Sequence, residues 1–301
     1  MELPVFEKFT DTVQRECLGV YGVTLYREGK GSVSHFFRDD NMVHLYSGSK
    51  TYASLAVGIA EGEGRLTLED TVLDFFPYFK DTADGDAARL TVKHLLQMRA
   101  GYRQMLFTSD VSSHGYSSDW ARGFFARERA NPPGVAFFYD NGCTYLLGRI
   151  IEEVSGETLR DYLVPRLFAP LGIPNPQWHF CPRGHTLGAV GLCLKNEEFS
   201  RLGRLLLQGG IWDGRRLVTD GYVTRMARDL VDTGWDDPES ARYGFQVWQC
   251  SLPGAFRADG KYGQFCVVLP ERRAVVTITA HNEQCSNDIL RAVWRDIAEG
   301  L

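Results

Sequence analysis

The chain has no long apolar run and no block of like charge. Without about 18 consecutive apolar residues there is no candidate membrane helix. The start, "MELPVFEKFTDTVQREC", carries acidic residues and no apolar stretch, so it does not read as a signal peptide. A cytoplasmic protein without a leader is therefore expected. The formal net charge of −5 comes from mixed signs, which gives no footprint for nucleic acid or an anionic membrane as partner. The seven cysteines, Cys17, Cys143, Cys181, Cys193, Cys250, Cys266 and Cys285, are odd in number and contain no Cys-x-x-Cys. That excludes a disulfide framework and a zinc site and predicts reduced core thiols. Several chemical signatures are also missing. There is no Gly-x-Ser-x-Gly elbow, no His-Glu-x-x-His, no phosphate loop and no dinucleotide fingerprint. The seven histidines are scattered and read as surface or satisfied core residues.

What remains is a globular chain of ordinary composition, 44% hydrophobic and 24% charged. No repeat, low-complexity block or linker divides its 301 residues, so one large domain or two interleaved ones are expected. An amphipathic helix is predicted from about Leu3 to Cys17. "GVYGVTLYREGKGSVSHFFR" reads as a hairpin around Glu28-Gly29-Lys30-Gly31. A helix begins near Ser47 and ends at Gly62/Gly64. Thr67 and Thr91 look like helix N-caps, with Asp70 imitating a capping box. Further helices are predicted in "SSDWARGFFARER", "TYLLGRIIEEVSG", "TLRDYLVPRLFAPLGI" and "NEEFSRLGRLLLQGG". The last third changes to period two in "YGFQVWQC", "FRADG", "GQFCVVLP" and "AVVTITA", with "PERR" as a turn. "SNDILRAVWRDIAEG" closes the chain as a helix with Ser286 as its cap. The expected fold is α+β, an antiparallel sheet built from both ends and covered by the terminal helices. Residues 1–64 and 190–301 form the sheet subdomain, residues 65–189 an inserted helical subdomain, and a site lies in the cleft between them.

Three stretches carry chemistry. Ser47 and Lys50 stand one helical turn apart, on one face, at a helix start where backbone N–H groups favour negative charge. A serine needs a base, and a lysine serves only if burial or a neighbouring charge lowers its pKa. The pair by itself is a weak signal, since most Ser-x-x-Lys tetrapeptides are polar helix starts. In "NPPGVAFFYDNGC", Tyr139 and Asn141 are two apart before a helix, so both can face one cleft. A phenol near Lys50 is either held as phenolate or shares its proton with a neutral amine, and the sequence leaves both open. The alternative is a turn tyrosine with a left-handed asparagine. In "FRADGKYGQFC", glycine in a strand permits close approach. Such a strand edge can donate one N–H to an oxyanion, the other coming from Ser47. Tyr102, Trp120, Trp178 and Trp248 read as core aromatics.

Together these stretches resemble the serine β-lactamase and penicillin-binding-protein superfamily, in its class C-type branch. "GRLTLEDTVLDFFPYF", "LTVKHLLQMRAGY", "PPGVAFFYDNGCTYLLGRIIEEVSG" and "FSRLGRLLLQGGIWDGRRLV" are similar to family sequence, in family order, over nearly the whole chain. The resemblance implies Ser47 as acylated nucleophile, Lys50 as its proton partner and Tyr139 as general base or acid. It further implies Asn141 and Gly260 as substrate contacts, and the N–H groups of Ser47 and Lys261 as the oxyanion hole. It implies no metal and no organic cofactor. The family's Lys-Thr-Gly reads Ala258-Asp259-Gly260 here, and Gly260-x-x-Gly263-Gln264 is similar to esterase and oligomer-amidase members. A small-molecule ester or amide is thus the expected partner. A β-lactamase or DD-peptidase, and a penicillin-binding-like ligand-binding or sensor domain with little turnover, are the alternatives.

Overall fold

Runs rich in β-branched residues from both ends of the chain meet in one sheet. The computed structural model describes residues 5–108 and 119–301. Helix α1 (Glu7–Arg15) leads into strands β1 (Val20–Arg27) and β2 (Gly31–Phe36), joined by the expected turn. A short strand β3 (Val43–His44) precedes a 3-10 turn, Tyr46–Gly48, that runs directly into α2 (Ser49–Gly62). The middle supplies α3 (Val72–Phe75), α4 (Val92–Leu96), α5 (Trp120–Phe125), α6 (Asn141–Ser155) and α7 (Leu159–Leu163). Strands β4 (Gln177–Trp178) and β5 (Leu192–Leu194) follow, and β5 lies between β3 and β4 in a small sheet. Next come α8 (Asn196–Leu207), the small hairpin of β6 (Ile211–Trp212) and β7 (Arg215–Arg216), and α9 (Asp220–Arg228). Strands β8 (Val231–Asp232), β9 (Arg242–Tyr243), β10 (Trp248–Gln249), β11 (Phe256–Gly260), β12 (Gln264–Leu269) and β13 (Ala274–Ala280) precede the closing α10 (Asn287–Asp296). The large sheet runs β2-β1-β13-β12-β11-β10-β9-β8, antiparallel throughout.

Strands β12 and β13 are buried along their whole length because both sheet faces are covered. On one face Val23, Leu25, Phe265, Val267, Val276 and Ile278 share a core with α1 (Phe9, Val13) and α10 (Ile289, Leu290, Val293). The spacings i, i+4 in α1 and i, i+1, i+4 in α10 put these residues on one face of each amphipathic helix. On the other face Tyr26, Cys266, Val268 and Val275 join Phe199 and Leu202 of α8, in a core continuous with α2 and the middle helices. Buried Asn196 fixes α8 to the sheet. It accepts from Thr24 Oγ1 (2.6 Å) and donates to Gly22 O (3.1 Å) and Thr279 Oγ1 (3.2 Å). Helix α2 is buried from Ser49 to Ala60; Lys50, Thr51 and Ser54 find hydrogen-bond partners inside the protein, whereas the Tyr52 hydroxyl finds none among the described residues.

Several local expectations are corrected. Thr67 caps no helix. Its N–H and hydroxyl both bond Asp70 (2.7 and 2.6 Å) to close a turn, and α3 starts only at Val72. Thr91 does cap α4, with His94 as the box partner. Ser286 is already helical (φ −62, ψ −24) and makes no capping bond. Asn282 Oδ1 instead accepts from the N–H groups of Gln284 and Cys285. "YGFQVWQC" is broken into β9 and β10 by a turn in which Gln246 is left-handed (φ +62). After Leu163 the backbone widens into a π-type turn, Val164–Phe168, which accommodates Pro165 without an N–H. The predicted helix "SSDWARGFFARER" is limited to α5, capped by Asp119, while Ser117 and Ser118 lie outside the described residues. Leu3, expected to begin α1, lies outside them as well. The cysteines are all free, yet Cys17 and Cys285 are exposed rather than core. Among the described residues no helix is long and apolar enough to cross a membrane.

Candidate active site

The 3-10 turn ahead of α2 is held from both sides. Tyr46 takes a left-handed backbone (φ +48), uncommon for a bulky residue. Its N–H donates to His44 Nδ1 (2.9 Å), and its ring packs against His44 (4.2 Å) and Tyr262 (5.2 Å). This fixes the next residue, half-exposed Ser47, at the head of a buried helix. Lys50, one turn on, is 1% exposed. Its Nζ lies 2.9 Å from Ser47 Oγ, 2.7 Å from Asn141 Oδ1 and 2.9 Å from Ala189 O. Burial lowers its pKa to about 7, against the opposing pull of Asp140 and then Asp259. A neutral amine keeps two N–H groups for Asn141 and Ala189, and its lone pair then accepts the Ser47 hydroxyl proton.

Tyr139 ends the extended segment before α6. Burial pushes its phenol well above the usual range, and a hydrogen bond with Ser47 works against that rise. Its ring centre is 4.9 Å from Lys50 Nζ, stacked on Trp248 (5.6 Å) and edge-on to Tyr243 (5.9 Å). Between Tyr139 and Asn141, buried Asp140 caps α6. Its Oδ1 accepts from Gly142 N (2.8 Å) and Leu106 N (2.9 Å), and its Oδ2 from Arg127 Nη2 (2.8 Å). Asn141 uses both ends of its amide inside the protein, since Nδ2 donates to Phe107 O (2.8 Å).

Strand β11 closes the other wall. A Cβ added to Gly260 would stand 2.1 Å from Leu45 O, so only glycine lets this strand end lie against the Ser47 turn. Exposed Lys261 follows, in a turn where Tyr262 (φ +67) and Gly263 (φ +92) are left-handed. Gln264 fastens that turn, its Nε2 reaching Ala280 O (2.5 Å) and Lys261 O (3.3 Å). Ala258 is buried among core residues. Arg257 is 2% exposed and points to the opposite face, where its guanidinium donates to Asp259 Oδ2 (2.8 Å) and Glu239 O (2.7 Å).

Ser47, Lys50, Tyr139 and Asn141 thus converge, and Gly260 with Lys261 borders the same turn. Sequence reasoning overlooked Asp140 and Ala189 O. Asp140 directly before a helix was a readable cap signal. The left-handed Gly188 and Gly191, which flank the Ala189 segment, were the only hint of the second. Tyr102, Trp120, Trp178 and Trp248 are all buried as expected, and Trp248 also stacks on Tyr139. No group of three or more His, Cys, Asp and Glu among the described residues is placed to hold a metal.

A family model described as Beta-lactamase matches residues 13–299. The chain belongs to the beta-lactamase family. It is 31% identical over 129 residues to protein flp of Staphylococcus aureus (strain COL), covering 42% of this chain and 26% of that protein. The chain therefore matches about a quarter of that curated relative's length. EstCE1, titled a hydrolase with promiscuous acyltransferase activity, superposes with a TM-score of 0.80 at 17% identity, covering 97% of this chain and 98% of its own. A penicillin-binding protein homologue from Caulobacter crescentus gives 0.78 at 19% identity, covering 99% and 98%. At these identities the two structures establish the shared fold.

Proposed function

We propose that this member of the beta-lactamase family is a serine hydrolase that cleaves an ester or small amide through an acyl-enzyme on Ser47. The observation that carries the reading is the buried Lys50 amine, 2.9 Å from Ser47 Oγ, with its pKa lowered to about 7. An ordinary lysine would be protonated at neutral pH and useless as a base. Here burial makes the neutral amine accessible near neutral pH, and that amine takes the proton as Ser47 Oγ attacks the carbonyl. The N–H groups of Ser47 and Lys261 hold the oxyanion. Tyr139, kept neutral by burial, relays the proton to the leaving group as the carbonyl–heteroatom bond breaks. The same pair then deprotonates water for attack on the acyl-serine, which frees the acid and restores the Ser47 hydroxyl. Asn141 and Asp140 position this machinery, Asn141 by fixing Lys50 and Asp140 by fixing the start of α6.

The substrate class follows from the β11 wall. Ala258 offers no charge, and Arg257 is turned away and spent on Asp259 and Glu239. The position of the family motif's lysine, Ala258, thus offers no cation to grip a carboxylate, and exposed Lys261 lies beyond the strand end, which favours neutral esters and small amides. EstCE1, with the same fold, is itself titled a hydrolase. Ser47→Ala is expected to abolish hydrolysis of a nitrophenyl ester while the protein stays folded. Turnover by that variant at the wild-type rate would refute the reading.

A further inference from the structure

We propose, resting on the serine-hydrolase reading above, that Trp235 and Trp248 form the leaving-group subsite of the Ser47 centre. The subsite selects esters and amides whose alcohol or amine part carries an aromatic ring. Trp235 is 48% exposed. A single apolar side chain in solvent is ordinary, but this one is both fixed in place and joined to the site. Its turn is pinned by Thr233. The Thr233 N–H donates to Ala241 O (3.0 Å) and its hydroxyl to Ser240 O (2.7 Å), while the hydroxyl oxygen accepts from Trp235 N (3.1 Å). Between them Gly234 is left-handed (φ +75) and donates its N–H to Asp232 Oδ1 (2.8 Å). The indole then stacks on Trp248, with ring centres 5.3 Å and planes 27° apart, and meets Phe137 edge-on at 5.9 Å.

Trp248 connects this exposed ring to the reacting groups. It stacks on Tyr139 as well as on Trp235, with planes 26° apart at 5.6 Å. Phe137 and Tyr139 stand two apart in the extended segment before α6, and both rings turn to the same neighbours. Phe137 lies 6.1 Å from Trp248 and 5.4 Å from Tyr243, and Tyr139 5.6 and 5.9 Å from the same two. Trp248 is buried and Trp235 open, so an aromatic surface runs outward from Tyr139 in two ring steps. The mechanism assigns its occupant. Tyr139 gives its proton to the departing heteroatom, so the group bonded to that atom comes to lie beside Tyr139 and the rings packed on it. A flat ring there stacks on or meets the edge of Trp235, at the separation of about 4.5–7 Å that aromatic pairs adopt. The indole is already held by Thr233, Trp248 and Phe137, so little freedom is lost when the ligand ring arrives. A short alkyl group reaches less of this surface and gains less from it.

The test is hydrolysis of benzyl acetate and ethyl acetate, which share an acyl group and differ in the leaving alcohol, followed by acid release at constant pH. The full chain is compared with Trp235→Ala, Trp235→Phe and Ser47→Ala, each checked for folding by circular dichroism. The wild type is expected to favour benzyl acetate at least tenfold in kcat/KM. Trp235→Ala is expected to lower that benzyl-to-ethyl ratio tenfold or more, chiefly through a higher KM for the benzyl ester, and Trp235→Phe to restore most of it. Ser47→Ala separates the two readings. If it still hydrolyses both esters, the serine mechanism fails and the subsite falls with it. If it is inactive while Trp235→Ala keeps the wild-type ratio, the aromatic subsite alone is overturned. A wild type that favours ethyl acetate, or cleaves neither ester, overturns it too.

Discussion

Replacing Lys50 with Met removes a titrating group from the interior while keeping most of its volume. In the wild type the folded state holds this amine with a pKa of about 7, against an ordinary value of 10.5. Between those values the unfolded chain binds one proton more than the folded chain, so wild-type stability rises with pH. Below pH 7 both states are protonated and the contribution is flat at its minimum, because an ammonium is then forced into the core. One proton corresponds to about 1.4 kcal/mol per pH unit, and the transition is half complete at its midpoint. Wild-type stability minus Lys50→Met stability should therefore climb by roughly 2 kcal/mol from pH 7 to pH 9. Groups common to both proteins cancel to first order, so the difference reports Lys50. Urea denaturation at pH 6, 7, 8 and 9, extrapolated to water, measures it. A difference that stays flat to pH 9 would show that Lys50 keeps an ordinary ammonium, and the proposed base would be lost with it.

Three further outcomes are expected. kcat/KM for a neutral nitrophenyl ester should rise with pH through a midpoint of about 7, as Lys50 loses its proton; a profile without that limb would count against the amine as base. Tyr139→Phe keeps the stack on Trp248 but removes the relaying hydroxyl, so kcat should fall by about 10²–10⁴-fold with the fold intact. Gly260→Ala forces a Cβ against Leu45 O and pushes β11 from the Ser47 turn. A displacement of that order costs about 10²-fold in kcat/KM, and an unchanged rate would show that the strand end does not set the site.

The sheet was legible because its long strands are apolar and β-branched, a pattern that buried pairing selects. The short strands were less so: β9 and β10 were read as one run, "YGFQVWQC", and β8 was not read, since two-residue pairings leave little periodicity. Caps were only half legible. Thr91 and Thr67 look alike in sequence, but Thr67 spends its bonds on Asp70 and no helix follows directly. At the site, the Ser47–Lys50 spacing was visible, while the property that would make Lys50 a base was not. That property comes from burial in the packed fold, where the hydrogen-bond partners of Lys50, Asn141 and Ala189, lie 91 and 139 residues away. The strand glycine at 260 was flagged as a point of close approach, but its partner, Leu45 O, emerges only when β11 and the Ser47 turn are packed together. Cys17 and Cys285 were misplaced because burial of a lone cysteine depends on its tertiary neighbours, and these two lie at exposed element ends.

The most direct test of the central claim is the mass of the protein after brief exposure to a nitrophenyl ester or a fluorophosphonate, followed by peptide mapping. Ser47 as nucleophile predicts a single covalent adduct on the peptide containing Ser47, absent in Ser47→Ala and strongly slowed in Lys50→Met. An adduct on another residue, or equal labelling of Ser47→Ala, would contradict it.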